Sequence, residues 1–287
     1  MLNILRYTFL ILVASSFIGC NDVKKNETDS VIYVTINPLK ALVEELTCGD
    51  FAVEVLVPKG ASPETFEPTA RQIAALNDAE FCFKVGLLDF EHNLSSLLDK
   101  DSRSINISEG IKPLSGCCSH GHHHGHTHGI DPHIWTSPRE LGVMVRNMHR
   151  AIKAQYPDSV KYDLAAERLF KRITRLDAAC RMELKKSNVE ALMIYHPAFS
   201  YYANSYHIEQ IAVEHEGKEP TPRRLAGLVE TARKRGIKTI FHQPQYSPDK
   251  LATIAAECGA NVVMIDPLAD DILAEIERLT TILSRQK

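Results

Sequence analysis

From Val31 to the C-terminus, short runs rich in Val, Ile and Phe alternate with longer segments of helical periodicity. This alternation admits few folds, because a strand that returns to its sheet through a helix does so parallel to the first, giving βα units and a mainly parallel sheet. Strands are predicted at 31–36, 52–57, 81–85 and 104–108, with helices at 39–46, 69–77 and 87–97 between them. Ser137-Pro138 fits an N-cap with proline at the first helical position, opening a helix to about residue 154. Residues 157–186 predict one charged helix of roughly 28 residues, about 40 Å long, with Leu164, Leu169, Ile173, Leu176 and Ala179 on its apolar side. Its length suggests a strut between two lobes. A second alternating set follows, with strands at 191–195, 210–213, 239–242 and 262–265 and helices at 198–205, 222–235, 248–258 and 271–283. The expected layout is an N-terminal α/β lobe at 31–156, a linker helix at 157–187 and a C-terminal α/β lobe at 188–287. The two halves share architecture but no sequence repeat.

The first twenty residues read as an export signal: Arg6 supplies a basic start, and residues 7–17 are mostly apolar but too few to span a bilayer as a stable helix. The run ends in Phe17-Ile18-Gly19-Cys20. A small residue just before a cysteine resembles a bacterial lipobox, which makes Cys20 the expected lipidation site; the alternative is an ordinary secretory peptide. Residues 21–30 are polar and suit a flexible tether. The mature chain is therefore expected on the periplasmic or extracytoplasmic face of a bacterial membrane, held by lipid. A formal net charge of -3 with scattered basic residues argues against nucleic acid as a partner, and the expected state is a monomer. Of the seven cysteines, the six beyond Cys20 lack paired zinc spacing and leave fifteen pairings open.

Six histidines fall at His120, His122, His123, His124, His126 and His128, spaced by Gly, Ser and Thr residues in and around the tract. Imidazole is the commonest protein ligand for late transition metals near neutral pH, so the tract (within the loop 117–129) reads as an accessory metal collector. Cys117-Cys118 beside it offers thiolates, or is simply a vicinal pair. A flexible tract captures metal without selecting it.

In open α/β sheets ligands bind beyond the carboxyl ends of the strands. Four metal-competent side chains occupy such positions: Glu64 past the second strand, His133 past the fourth, His196 directly after the fifth and Asp266 ending the last. Glu67 is the neighbouring alternative to Glu64. Trp135 and Phe199 are expected to wall the cleft with apolar surface.

Pro132-His133-Ile134-Trp135, Tyr195-His196-Pro197-Ala198-Phe199-Ser200-Tyr201-Tyr202 and Ile265-Asp266-Pro267-Leu268 resemble three motifs of the cluster A-I metal-binding proteins that serve ABC importers. The likeness is greatest to the ZnuA-like zinc group, which often carries a histidine-rich loop before the second motif. It extends from Val31 to the last helix. The resemblance implies two Rossmann-like lobes joined by a long rigid helix, with the metal in the interlobe cleft on Glu64, His133, His196 and Asp266. It also implies a metal-specific permease and its ATPase as partners. Glu64 departs from the family, which usually has histidine there, and Gln243 stands where glutamate is frequent. Two imidazoles and two carboxylates suit Zn²⁺ and also Mn²⁺ or Fe²⁺; the histidine tract favours zinc.

The chain carries no His-Glu-x-x-His helix, nucleophile elbow or glycine-rich phosphate loop, so an enzyme is not expected. A zinc hydrolase would need Glu64 or Asp266 as general base. Some relatives are described as metal-dependent adhesins, yet no segment reads as an adhesive repeat. Because neutral imidazole is the ligand form, metal affinity is expected to fall as pH drops through roughly 6.5.

Overall fold

A computed structural model describes residues 30–98, 103–116, 129–214 and 220–286; the leader with Cys20, the tether to residue 29, Cys117-Cys118 and the whole histidine tract lie outside them. The chain forms two four-stranded parallel sheets. The first holds β1 (Val31–Val34), β2 (Ala52–Val55), β3 (Phe81–Lys84) and β4 (Ser104–Asn106) in the order β2-β1-β3-β4. The second holds β5 (Ala191–Ile194), β6 (Glu209–Ala212), β7 (Thr239–His242) and β8 (Asn261–Met264) in the order β6-β5-β7-β8. Both orders are the same walk: outward one strand, back across the first, then outward again. The crevice where the walk reverses opens at the carboxyl ends of β1 and β3, and of β5 and β7.

Burial explains why these runs are strands. Phe81–Lys84 is buried at all four positions and Ala191–Ile194 at three, as for central strands covered on both faces. The helices that cover them are α1 (Pro38–Leu46), α2 (Ala70–Asn77), α3 (Asp89–Leu97), α4 (Pro138–Gln155), α5 (Val160–Lys186), α6 (Ser200–Tyr206), α7 (Pro222–Arg235), α8 (Asp249–Cys258) and α9 (Ile272–Ser284). Helix ends follow local chemistry. Thr69 and Gln72 form a reciprocal capping box at α2, while Gly236 and Gly259 close α7 and α8 in the left-handed conformation, at φ of 65° and 64°.

Two expectations change. Ser137 precedes Pro138 as predicted, yet its hydroxyl bonds Ser205 at 3.2 Å rather than capping α4. The 27-residue α5 packs along its length against α1 and α4 of the first lobe and α6 and α9 of the second. Its buried face is Tyr162, Ala166, Leu169, Ile173, Cys180 and Leu184, at spacings of three, four and seven. Leu164 and Ala179 fall off that face and are exposed. One continuous apolar core therefore runs through both lobes, from Ile32 and Leu39 through Leu169 to Ile265 and Ile276.

Cys48, Cys82, Cys180 and Cys258 are free thiols. Among the described residues no helix is long and apolar enough to cross a membrane.

Candidate metal centre

Three predicted ligands meet. Glu64, His133 and His196 each present one ligand atom, all within 4.8 Å of one another, in the only such group of three among the described residues. Glu64 sits on the loop between β2 and α2. That loop is tightened by Ala61 N donating to Pro58 O and Thr65 N to Ser62 O, and anchored by Phe66 set edge-on to Phe90 at 5.1 Å. The neighbouring Glu67 is exposed. His133 opens a 3₁₀ turn at Ile134–Thr136 after the Asp131-Pro132 step, and His196 follows β5 at the crevice of the second sheet.

Each imidazole is aimed by a buried carboxylate. Asp131 Oδ1 accepts from His133 N at 2.9 Å and lies 2.8 Å from His133 Nδ1; Glu214 Oε1 lies 2.7 Å from His196 Nδ1. An ionised carboxylate only accepts, so the proton resides on Nδ1 and Nε2 is the atom offered to a metal. Burial opposes the charge of Asp131, but the His133 charge and hydrogen bonds from His133 and Ser200 hold its carboxyl below the usual range. Gln243, only 1% exposed, clasps the His196 backbone: its Nε2 donates to His196 O at 2.6 Å and its Oε1 accepts from His196 N at 3.3 Å. The amide satisfies both groups at once, which an ionised glutamate, an acceptor only, could not do.

The three ligand atoms form a triangle. His196 Nε2 to Glu64 Oε1 is 3.3 Å, His196 Nε2 to His133 Nε2 is 3.4 Å and His133 Nε2 to Glu64 Oε1 is 3.7 Å. A tetrahedral zinc with bonds near 2.05 Å has ligand-to-ligand edges of about 3.3 Å, whereas octahedral neighbours at that bond length would lie about 2.9 Å apart. The observed edges suit the tetrahedral ion. The cavity at the triangle measures about 20 Å³, room for one water-sized occupant. Trp135, Tyr246, Pro267 and Leu268 close it.

Asp266 stays outside the cluster. Its Oδ1 accepts from Leu268 N at 2.8 Å, and its own N donates to Glu275 Oε1 at 2.6 Å, so the carboxylate braces the turn before α9. It borders a separate shallow pocket with Asn37, Lys59 and Asp270. The two residues expected to wall the cleft take different places. Trp135 lines the cavity, its ring 5.1 Å from that of His133, and its Nε1 donates across the lobes to Pro267 O at 2.7 Å. Phe199 is fully buried in the core against Tyr202, because the turn after His196 directs it inward; Tyr246 stands in its place, stacked 5.6 Å from His196. Glu214 and Tyr246 escaped sequence reasoning. Glu214 was findable as a carboxylate just past the end of β6, the strand beside β5.

Proton competition follows from the geometry. Burial alone would depress the His196 pKa, yet hydrogen bonds to Glu214 and Glu64, and then their charges, raise it to about 10. The folded value exceeds the unfolded one, so this contribution to stability is complete below about pH 6.5 and is lost as pH rises toward 10. Metal needs the neutral ring. Zinc binding at pH 7 to 9 is therefore expected to expel the His196 proton, and affinity to climb by up to about tenfold per pH unit toward pH 10, well above the window expected from sequence. Calorimetric titrations in buffers of different ionisation enthalpy read the proton count; an affinity flat between pH 7 and 9 would refute the prediction.

Residues 32–281 match the family model "ZnuA: Zinc-uptake complex component A periplasmic". The zinc-binding lipoprotein AdcA of Streptococcus pneumoniae is 26% identical over 270 residues, covering 90% of this chain and 54% of AdcA. The high-affinity zinc uptake system protein ZnuA of Bacillus subtilis is 27% identical over 285 residues, covering 92% of this chain and 89% of that protein. The chain thus spans about half the length of the AdcA relatives and most of the Bacillus one. A crystal structure of ZnuA superposes with a TM-score of 0.79 and 28% identity, covering 90% of this chain and 99% of the other. With a family model matched from β1 to α9, across both sheets, the chain belongs to the ZnuA family.

Proposed function

We propose that this chain is an extracytoplasmic solute-binding protein that captures zinc and delivers it to an ABC-type importer. The observation that carries the reading is the buried triangle of Glu64, His133 and His196, whose edges of 3.3 to 3.7 Å suit a tetrahedral ion. Ligands from both lobes hold the metal, and the carboxylates behind each imidazole raise its basicity and fix its direction. Three protein ligands leave one tetrahedral position. Asp266 is proposed to take it after a local shift of its turn, since its neighbours Pro267 and Leu268 already line the cavity. Burial first, then Glu275 and Asp270, raise the Asp266 pKa, so a cation there would relieve a crowded negative charge.

Lobes at 31–156 and 188–287 are proposed to rock only slightly about the helix at 157–187, because one apolar core joins them. Release then requires the permease, driven by its ATPase, to disturb the ligands of one lobe. Cys20 is the proposed lipid anchor, and the histidine tract a collector that concentrates metal at the cleft. A transport role leaves the site without catalytic duty. Mn²⁺ or Fe²⁺ is favoured by one feature, the oxygen of Glu64 where imidazole is usual.

Competition titration of the mature protein with zinc, manganese and ferrous iron tests the reading. One tight zinc site is expected, and it should survive deletion of residues 119–129. Loss of all tight binding on that deletion would remove the cleft site, and preference for manganese would change the cargo.

A further inference from the structure

We infer that Arg224, on the first turn of α7, is a positioning residue for the metal site, acting through Glu214 on His196; the inference rests on the zinc-binding reading above. β6 is an edge strand, and Glu214 lies two residues past its end. Val213 N and Glu214 N still donate to the end of β5 and the residue after it, at Ile194 O (2.9 Å) and Tyr195 O (3.1 Å). The carbonyls of the same stretch are gathered by one guanidinium. Arg224 Nη2 donates to Ala212 O at 3.0 Å and to Glu214 O at 3.4 Å, while Nε donates to Val213 O at 3.4 Å. Its own position is set by the cap of α7, where Thr221 Oγ1 accepts from Arg224 N.

Glu214 is held in this way because it must present a carboxylate inside the protein. It is 2% exposed, and its Oε1 lies 2.7 Å from His196 Nδ1. An edge-strand terminus is ordinarily free to fray into water, and a displacement of 1 Å there would pull the carboxylate off the imidazole. The arginine removes that freedom by tying three consecutive carbonyls to the start of α7. Only a planar fork with several donors spans them; an ammonium on a flexible stem reaches one at a time. The order of support is therefore Thr221, Arg224, the 212–214 carbonyls, Glu214, His196 and the metal.

Arg224→Met, which keeps most of the aliphatic stem, and Arg224→Lys are compared with wild type in the full mature chain, with Arg223→Met at the adjacent exposed position as control. The readouts are zinc affinity against a chromophoric chelator, the visible absorption of the cobalt-loaded protein, and the melting temperature without metal. Removing a group that orients a ligand costs about ten- to a hundredfold in affinity when the contact is direct; one step further out, a loss of about tenfold is expected for Arg224→Met. The cobalt bands should shift as His196 turns, Arg224→Lys should restore little, and Arg223→Met should match wild type. If Arg224→Met does not fold, Arg224→Gln is read by the same measurements. Wild-type zinc affinity with unchanged cobalt bands would overturn the inference, whether or not the melting temperature falls. Absence of tight zinc binding in the wild-type protein would instead overturn the zinc reading itself.

Discussion

Replacing His196 by alanine is expected to weaken zinc binding by about a hundred- to a thousandfold. Structural zinc sites gain roughly 10 to 16 kcal/mol from four ligands, so one ligand is worth about 3 kcal/mol, and each 1.4 kcal/mol is about a factor of ten. The same substitution acts on the metal-free fold. His196 and Glu214 are a buried pair, with side chains 5% and 2% exposed, and breaking such a pair from one side costs about 3 to 5 kcal/mol because the other charge stays buried alone. Two measurements separate the effects: chelator competition for the metal, and urea unfolding of the metal-free protein. Glu64→Gln removes a ligand oxygen and also the contact of Glu64 with His196 at 3.3 Å, so the same two measurements are read for it, and it should weaken zinc by a similar factor. Glu67→Gln should change nothing. Equal losses in the two glutamate variants would show that the triangle has been misassigned.

Trp135→Ala is expected to destabilise the metal-free protein by about 3 to 5 kcal/mol, the range for deleting a large buried aromatic side chain. The indole is 1% exposed and joins the lobes twice, by packing in the shared core and by its Nε1 donating to Pro267 O. Trp135→Phe keeps much of the apolar body but leaves that carbonyl without its donor, at about 1 to 3 kcal/mol. Chemical denaturation followed by circular dichroism reads both, since Trp135 is the chain's one tryptophan and its fluorescence vanishes with it. Equal costs for the two variants would assign the effect to the hydrogen bond; no cost for either would deny the contact any role in joining the lobes. Zinc affinity should fall as well. Pro267 adjoins Asp266, and the indole ring lies 5.1 Å from that of His133.

Much of the fold was legible because parallel βα architecture writes itself in local periodicity. The predicted helix at 222–235 and strand at 239–242 match α7 and β7 to the residue, and the other strands differ at their ends. Strand ends were less legible because the last ladder bonds depend on partners far away in sequence, as when Leu56 N donates to Val34 O beyond the end of β2. The face of α5 was misjudged at Leu164 and Ala179. Its burial is decided by four neighbouring helices, so Tyr162 and Cys180 won the core positions. Phe199 was misplaced for a similar reason: position after a strand does not reveal which way a turn points its side chain.

Residue types and their order along the chain determined the α/β class and singled out three candidate ligands that the fold brings together, because strand-end position and imidazole or carboxylate identity are local properties. Tertiary structure decided how those ligands meet. It alone set the triangle, put Asp131 and Glu214 behind the imidazoles, brought Tyr246 to the cavity in place of Phe199, and left Asp266 bracing a turn. It also moved the proton competition at His196 to about 10, since two carboxylates 18 and 132 residues distant in the chain raise that value against the opposing effect of burial. Distance through space governs coordination and charge, and distance along the chain carries little of it.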